Sequence, residues 1–138
     1  MSVFSFVDQV LELKKNESVT AVYTLKPGEE FLKDHFSAFP VMPGVLMVEA
    51  LKQAAGVLAA DVEGKPDARF CLVSVADIKF GQFVKPGNHV RMTVRLKERV
   101  DGHFYFDGRM DLVHKPDGPV IAKALVANFV LEKLEAVV

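Results

Sequence analysis

The chain contains 138 residues, of which half are apolar and a quarter are charged, with eleven Phe and no Trp. This length and composition suffice for one folded domain that needs no disulfide bond, and we expect residues 1–138 to form a single domain. Seventeen basic and eighteen acidic side chains nearly cancel, so the chain lacks the positive field that usually accompanies binding to nucleic acid.

The single cysteine, Cys71, has no partner for an intrachain disulfide, and the start "MSVFSFVDQV" lacks the basic residues and long apolar core of a secretory signal. Both features favour a reducing, cytoplasmic location. The longest apolar run, residues 43–60, is interrupted by Glu49, Lys52 and Gln53 and is too short to span a bilayer comfortably. We interpret this run as a core helix.

The first half of the chain predicts a pair of strands, a bend and a long helix. The segments "FVDQVLEL" and "SVTAVYTL" are rich in β-forming residues and are separated by the polar "KKNES". The following "KPGEEFLKDHF" is typical of a turn with at most one helical turn. Pro40, Pro43 and Gly44 then predict a bend. The helix expected over residues 45–60 is apolar nearly all round, which predicts that it is enclosed.

The second half predicts four strands, at about residues 69–84, 88–100, 103–114 and 120–131. The second of these alternates between apolar residues such as Val90 and Met92 and polar ones such as Arg91 and Thr93. We therefore expect the polar face of this strand to be exposed to solvent. The segments "VDGHF" and "KPDGPV" supply Asp-Gly signals for antiparallel hairpins. The last run is apolar on both faces, which predicts an interior position in the sheet. The whole pattern predicts an α+β fold, with about six mostly antiparallel strands curved around one helix.

The segment "HFSAFPVMPGVLMVEALKQAAG" resembles the signature of the 3-hydroxyacyl-acyl carrier protein dehydratases of fatty-acid synthesis, of the type that does not isomerise the double bond. In that family the segment reads approximately His-Phe-Pro-Gly-x-Pro-x-x-Pro-Gly-Val-Leu, then Glu-Ala-Met-x-Gln. Weaker resemblance in "FVDQVLEL" and "IKFGQFVKPGN" extends over nearly the whole chain. The resemblance implies the hotdog fold, in which a long helix lies in a curled antiparallel sheet and two subunits pair their sheets. It implies a homodimer, with a trimer of dimers as a further assembly.

The resemblance also implies catalytic roles for His35 and Glu49, which match the family's two catalytic positions and would come from opposite subunits. Dehydration of a 3-hydroxyacyl thioester needs a base for the proton beside the carbonyl and an acid for the departing hydroxyl. Histidine, with a reference pKa near 6.5, suits the first task. A carboxyl group in apolar surroundings can stay protonated near neutrality for the second. Taken singly, a loop histidine and a helix glutamate are more often structural or solvated residues.

The start of the helix should contribute the remaining groups of the site. An unpaired backbone N–H at a helix N-terminus can stabilise a developing oxyanion, and the family uses the amide that matches Gly44 in this way. Val45 follows as a candidate oxyanion or substrate-binding residue. Gln53 lies one turn after Glu49 on the same helical face, so we expect it to hydrogen-bond and orient that carboxyl group. The alternative is that Gly44 serves only as a bend residue.

Two features of the sequence leave alternatives open. The loop around His35 carries Asp34 and Ala38 where the family usually has glycine, which could redirect the histidine. Cys71 occupies the place of a tyrosine that gates the acyl tunnel in many relatives, although a free cysteine is often just a buried strand residue. Two rival functions therefore remain: a hotdog acyl thioesterase and a non-catalytic acyl-binding hotdog protein.

The expected partner is an acyl carrier protein-linked hydroxyacyl substrate, and no metal or cofactor is predicted. No Cys or His residues have the spacing of a zinc site. A basic strand face could meet an acidic carrier protein, although a solvated face is the more ordinary explanation. This face comprises Arg91, Arg95, Lys97 and Arg99.

Overall fold

A computed structural model describes residues 5–29 and 41–134. In these residues the chain forms one helix and a six-stranded antiparallel sheet. The helix α1 is Gly44–Glu63, and the strands are β1 Gln9–Lys14, β2 Ser18–Thr24, β3 Phe70–Phe80, β4 His89–Val100, β5 His103–Val113 and β6 Val120–Lys133. The predicted α+β hotdog architecture is confirmed, with element bounds within a few residues of those expected. The predicted turn before Pro40 lies largely outside the described residues.

The strand order in the sheet is β1-β2-β4-β5-β6-β3. The interior position predicted for β6 is confirmed, because β6 pairs with β5 on one side and with β3 on the other. The alternation predicted for β4 is also confirmed: Val90, Met92 and Val94 are fully buried, whereas Arg91 and Thr93 are not. The strands β1 and β3 form the two edges of the sheet.

Helix α1 lies against the concave face of the sheet and is bounded by residues suited to its ends. Pro43 stands just before it in an extended conformation, with ψ of 143°, where the missing N–H of proline costs nothing. Gly64 ends it with φ of 68°, a left-handed conformation that glycine adopts without strain. Leu51 and Leu58 are fully buried on the sheet side.

The face of α1 opposite the sheet is only partly covered by the described residues, whereas the sequence predicted a helix enclosed all round. Val45 is 75% exposed, and Val57 is only partly buried. The sheet packs against one side of the helix. The described residues therefore leave part of the apolar surface of α1 accessible on its other side.

Candidate active site

The first turn of α1 is anchored to the segment that follows β3. The Met42 N–H donates to the Val84 carbonyl at 2.8 Å, and the Pro43 carbonyl accepts from the amides of Leu46 and Met47 at 3.0 and 3.1 Å. The amides of Gly44 and Val45 precede these bonds, and no described residue accepts a hydrogen bond from them. Two backbone donors are thus available at the positive end of the helix, as expected for an oxyanion site.

An aromatic ring lies directly on Gly44. A Cβ atom at this position would be 2.9 Å from both Cε1 and Cζ of Phe80. An apolar pocket of about 400 Å³ surrounds this contact, with Met47 and Phe83 among its lining residues. Val45 does not line this pocket, so the structure places only Gly44 of the two predicted residues against it. The importance of Phe80 was missed in the sequence, although the motif "FGQF" contains it.

Glu49 lies in the second turn of α1 with its side chain 23% exposed. Its Oε2 accepts a hydrogen bond from Gln53 Nε2 at 3.1 Å, so the expected contact between these side chains is present. Its Oε1 lies 3.8 Å from Lys52 Nζ. Among the described residues, the polar neighbours of this carboxyl group are therefore the Gln53 amide and the Lys52 ammonium group, both on the same helix.

Gln53 also connects the helix to the start of the chain. Its Oε1 accepts a hydrogen bond from the Phe6 backbone N–H at 2.7 Å. The Phe6 ring is fully buried and packs edge-on against Tyr23, with centroids 5.2 Å apart. Burial raises the pKa of Tyr23 above its usual range, so the phenol stays neutral. Sequence reasoning missed this link, because a backbone donor has no residue-specific signature.

A groove of about 1100 Å³ runs along the open face of α1. Gln53, Gly56 and Val57 line it from the helix, and Cys71 lines it from the edge strand β3. Cys71 is only partly buried. The structure thus brings Cys71 and Gln53 to one groove, whereas Gly44 faces the separate apolar pocket beside Phe80. A gating role for Cys71 stays a prediction.

His35 lies outside the described residues, as do Asp34 and Ala38 of the same loop. The meeting of His35 with Glu49 across a subunit boundary therefore stays a prediction. Within residues 5–29 and 41–134, no cluster of His, Cys, Asp or Glu is arranged to hold a metal ion. The helix in that part of the chain is not long and apolar enough to cross a bilayer.

Two members of the predicted basic face have structural partners. Arg91 Nη1 donates to the carbonyls of Pro116 and Gly118 at 3.2 and 2.7 Å, which closes the turn between β5 and β6. Arg99 pairs with Glu63 near the end of α1. Arg91 and Arg99 thus have partners within the chain, a role that the sequence did not predict.

Sequence comparisons identify relatives of this chain. The FabA-like domain family matches residues 1–125. The chain is 35% identical over 130 residues to 3-hydroxyacyl-acyl-carrier-protein dehydratase FabZ of Polynucleobacter asymbioticus, covering 94% of this chain and 85% of that relative.

Solved structures share the fold at much lower identity. A chain of the dehydratase heterocomplex ApeI:P from Xenorhabdus doucetiae superposes with a TM-score of 0.75 at 13% identity, over 94% of this chain and 83% of that one. A hypothetical thioesterase from Streptococcus pneumoniae with coenzyme A gives a TM-score of 0.65 at 7% identity, over 91% and 84% of the two chains. Both likenesses concern the fold alone. From the family match and the sequence identity, the chain belongs to the FabA-like family of 3-hydroxyacyl-acyl-carrier-protein dehydratases.

Proposed function

We propose that this protein is an enzyme that removes water from (3R)-hydroxyacyl-acyl carrier protein to give the trans-2-enoyl product in fatty-acid or related lipid biosynthesis. The observation that carries this function is the 35% identity to a FabZ dehydratase over 94% of the chain. Glutamate rather than aspartate at position 49 resembles the non-isomerising branch of the family. We further propose that residues 1–138 form one functional domain and that the protein acts in the cytoplasm.

In the proposed mechanism His35 takes the C2 proton and Glu49 protonates the departing hydroxyl. The C3–O bond breaks, the hydroxyl leaves as water with the proton from Glu49, and the electron pair left at C2 forms the double bond. The Gly44 amide stabilises the enolate oxygen of the thioester as negative charge develops there. Support for this last role comes from the available amide at the start of α1 and from the absence of a side chain at Gly44.

The acyl chain is proposed to lie in the groove along the open face of α1. This groove begins beside Gln53, one turn from Glu49, and passes Gly56 and Val57 on its way to Cys71. Its volume of about 1100 Å³ is slightly above the usual range for small-molecule sites, about 300–1,000 Å³. A second subunit that covers this side of α1 would turn the open groove into a tunnel.

A homodimer is proposed to form through the edge strand β3. Residues 70–76 carry no charge, and Leu72 and Val73 are 37% and 48% exposed. A long apolar edge strand is a template for pairing with another chain. The other edge, β1, is shorter and carries Glu12 and Lys14. A trimer of such dimers is a further proposal, taken from the family resemblance.

Incubation of the purified protein with a 3-hydroxyacyl-acyl carrier protein tests the function directly. Enoyl product supports dehydration, free acid would support the thioesterase alternative, and unchanged substrate would support acyl binding alone. We expect Glu49→Gln and His35→Ala to lower kcat by about 10²–10⁴-fold, the usual contribution of general acid–base catalysis. Glu98→Gln, a change at an exposed position of β4, is the matched control. Full activity in both site variants would overturn the assignment.

A further inference from the structure

Gln53 is held between the backbone of the N-terminal segment and the carboxyl group of Glu49. The Phe6 N–H donates to Gln53 Oε1 at 2.7 Å, and Gln53 Nε2 donates to Glu49 Oε2 at 3.1 Å. The two ends of a glutamine amide are told apart only by their hydrogen-bond partners. A backbone N–H can only donate, so the Gln53 oxygen must face Phe6 and its NH₂ group must face Glu49.

The donor that orients this amide is itself fixed by the fold. The Phe6 side chain is fully buried and packs against Tyr23 with an interplanar angle of 87°. Two residues later, the Asp8 N–H donates to the Val22 carbonyl at 2.8 Å. The position of the Phe6 amide is therefore determined by core packing and strand pairing on either side of it, and Gln53 is not free to turn over while this bond is made.

We propose that this relay, from the Phe6 N–H through Gln53 to Glu49, decides which oxygen of Glu49 carries the catalytic proton. The lone pair of Oε2 that accepts from the Gln53 NH₂ group cannot carry a proton, because that group is a donor with no acceptor capacity. Oε1, which receives no hydrogen bond from Gln53, is therefore the oxygen that we assign to the proton passed to the departing hydroxyl. The charged group recorded beside Glu49 among the described residues is Lys52, whose Nζ lies 3.8 Å from Oε1, beyond hydrogen-bond distance. The catalytic part of this inference rests on the proposed function, whereas the relay itself does not.

The variant Gln53→Glu tests which oxygen of Glu49 carries the proton, separately from whether a proton is bound at all. One oxygen of the new carboxyl group would accept from Phe6, and the other would face Glu49 Oε2. Two carboxyl groups in such contact share a proton and hold it to higher pH than either would alone. The relay predicts that this proton lies between Glu49 Oε2 and the carboxyl group of residue 53, which leaves Glu49 Oε1 unprotonated at neutral pH.

Two measurements on the full-length protein test this inference, with Gln9→Glu on the exposed strand β1 as the matched control. In ¹³C NMR, the Glu49 carboxyl signal, assigned with Glu49→Gln, should titrate at higher pH in Gln53→Glu than in the parent. In the dehydration assay, kcat at neutral pH should nevertheless fall by about 10²-fold and recover on acidification, with KM little changed. The control should match the parent in both.

The results separate a failure of the oxygen assignment from a failure of the relay and from a failure of the proposed function. If activity in Gln53→Glu extends to higher pH together with the Glu49 signal, the choice of oxygen is irrelevant and the inference is wrong. An unmoved Glu49 signal would exclude the relay even if the parent showed no dehydration, in which case the proposed function would fail separately. Should Gln53→Glu not fold, an amide-to-ester replacement at Phe6 removes the donor and keeps the ring. A kcat equal to that of the parent in this ester variant would also overturn the inference.

Discussion

Replacement of Gly44 by alanine separates a catalytic glycine from a glycine that only permits a bend. The added Cβ would lie 2.9 Å from two ring carbons of Phe80, whereas carbon atoms in contact normally lie about 3.5–4.0 Å apart. The ring must therefore retreat by roughly 0.6–1.1 Å. Phe80 is 59% exposed, so a small side-chain rotation into solvent provides this distance. Even a rotation of about 30° away from a preferred rotamer costs only about 0.5–1.5 kcal/mol.

The same substitution has a compensating effect on the unfolded chain. Gly44 does not have a positive φ, so alanine can adopt its backbone conformation and reduces the entropy of unfolding by an amount worth about 0.4–1 kcal/mol. We therefore expect the free energy of unfolding of Gly44→Ala to stay within about 1 kcal/mol of the parent value in urea denaturation. A methyl group on the approach to the helix amide should nevertheless hinder the thioester carbonyl. Since the loss of one oxyanion donor costs about 10²–10³ in kcat, we expect a fall of at least tenfold in kcat/KM for dehydration.

One result would contradict the expected loss of turnover, and another would contradict the expected stability of Gly44→Ala. Full kcat/KM in a stable Gly44→Ala protein would show that the substrate does not approach this amide. A large loss of stability would show that the Phe80 ring is not free to move. The double variant Gly44→Ala/Phe80→Ala controls for the ring, because it removes the steric conflict and leaves the added methyl group in place. We expect the double variant to remain impaired in turnover.

Two further predictions concern the scaffold around the site. At Gly81 a Cβ would lie 2.2 Å from the Lys123 carbonyl oxygen. Since a backbone atom cannot rotate away, Gly81→Ala should lower the free energy of unfolding by at least the roughly 1–3 kcal/mol typical of overpacking. An unchanged free energy of unfolding in urea denaturation would contradict this expectation. Val73→Lys should prevent formation of the proposed dimer, measured by light scattering, and abolish dehydration, because it places a charge on the edge of β3. Val120→Lys is its control, since Val120 is similarly exposed, at 43% compared with 48%, and lies at the start of β6, outside the edge strand β3. Equal dimerisation of the Val73→Lys protein and its control would exclude β3 as the interface.

The open face of α1 has a consequence for the chemistry of Glu49. Among the described residues, Lys52 Nζ lies 3.8 Å from this carboxyl group, whose side chain is 23% exposed. A partner subunit over this face would exclude water from the groove and add residues beside Glu49. Formation of the proposed dimer would then complete the surroundings of Glu49 as well as bring His35 into reach.

The local sequence determined the elements of this fold and their pairing class. Alternation in β4, the Asp-Gly turns and the length of the apolar run of α1 are short-range patterns, and each predicted an element that the structure contains. The bond between Gln53 and Glu49 was also predictable, because residues four apart on a helix lie on the same face. These features depend only on the backbone period and on the conformational preferences of turn residues.

Only the tertiary structure decided how the surroundings of the site are built. The Phe6 amide is 47 residues from Gln53 in the sequence but donates a hydrogen bond to it. The Phe80 ring contacts Gly44 from the end of strand β3. Neither contact has a local signature, because a backbone N–H is common to nearly all residues and a ring can pack in any direction. The open face of α1 was likewise invisible, since an apolar sequence indicates that a surface is to be covered but does not say whether its own chain covers it.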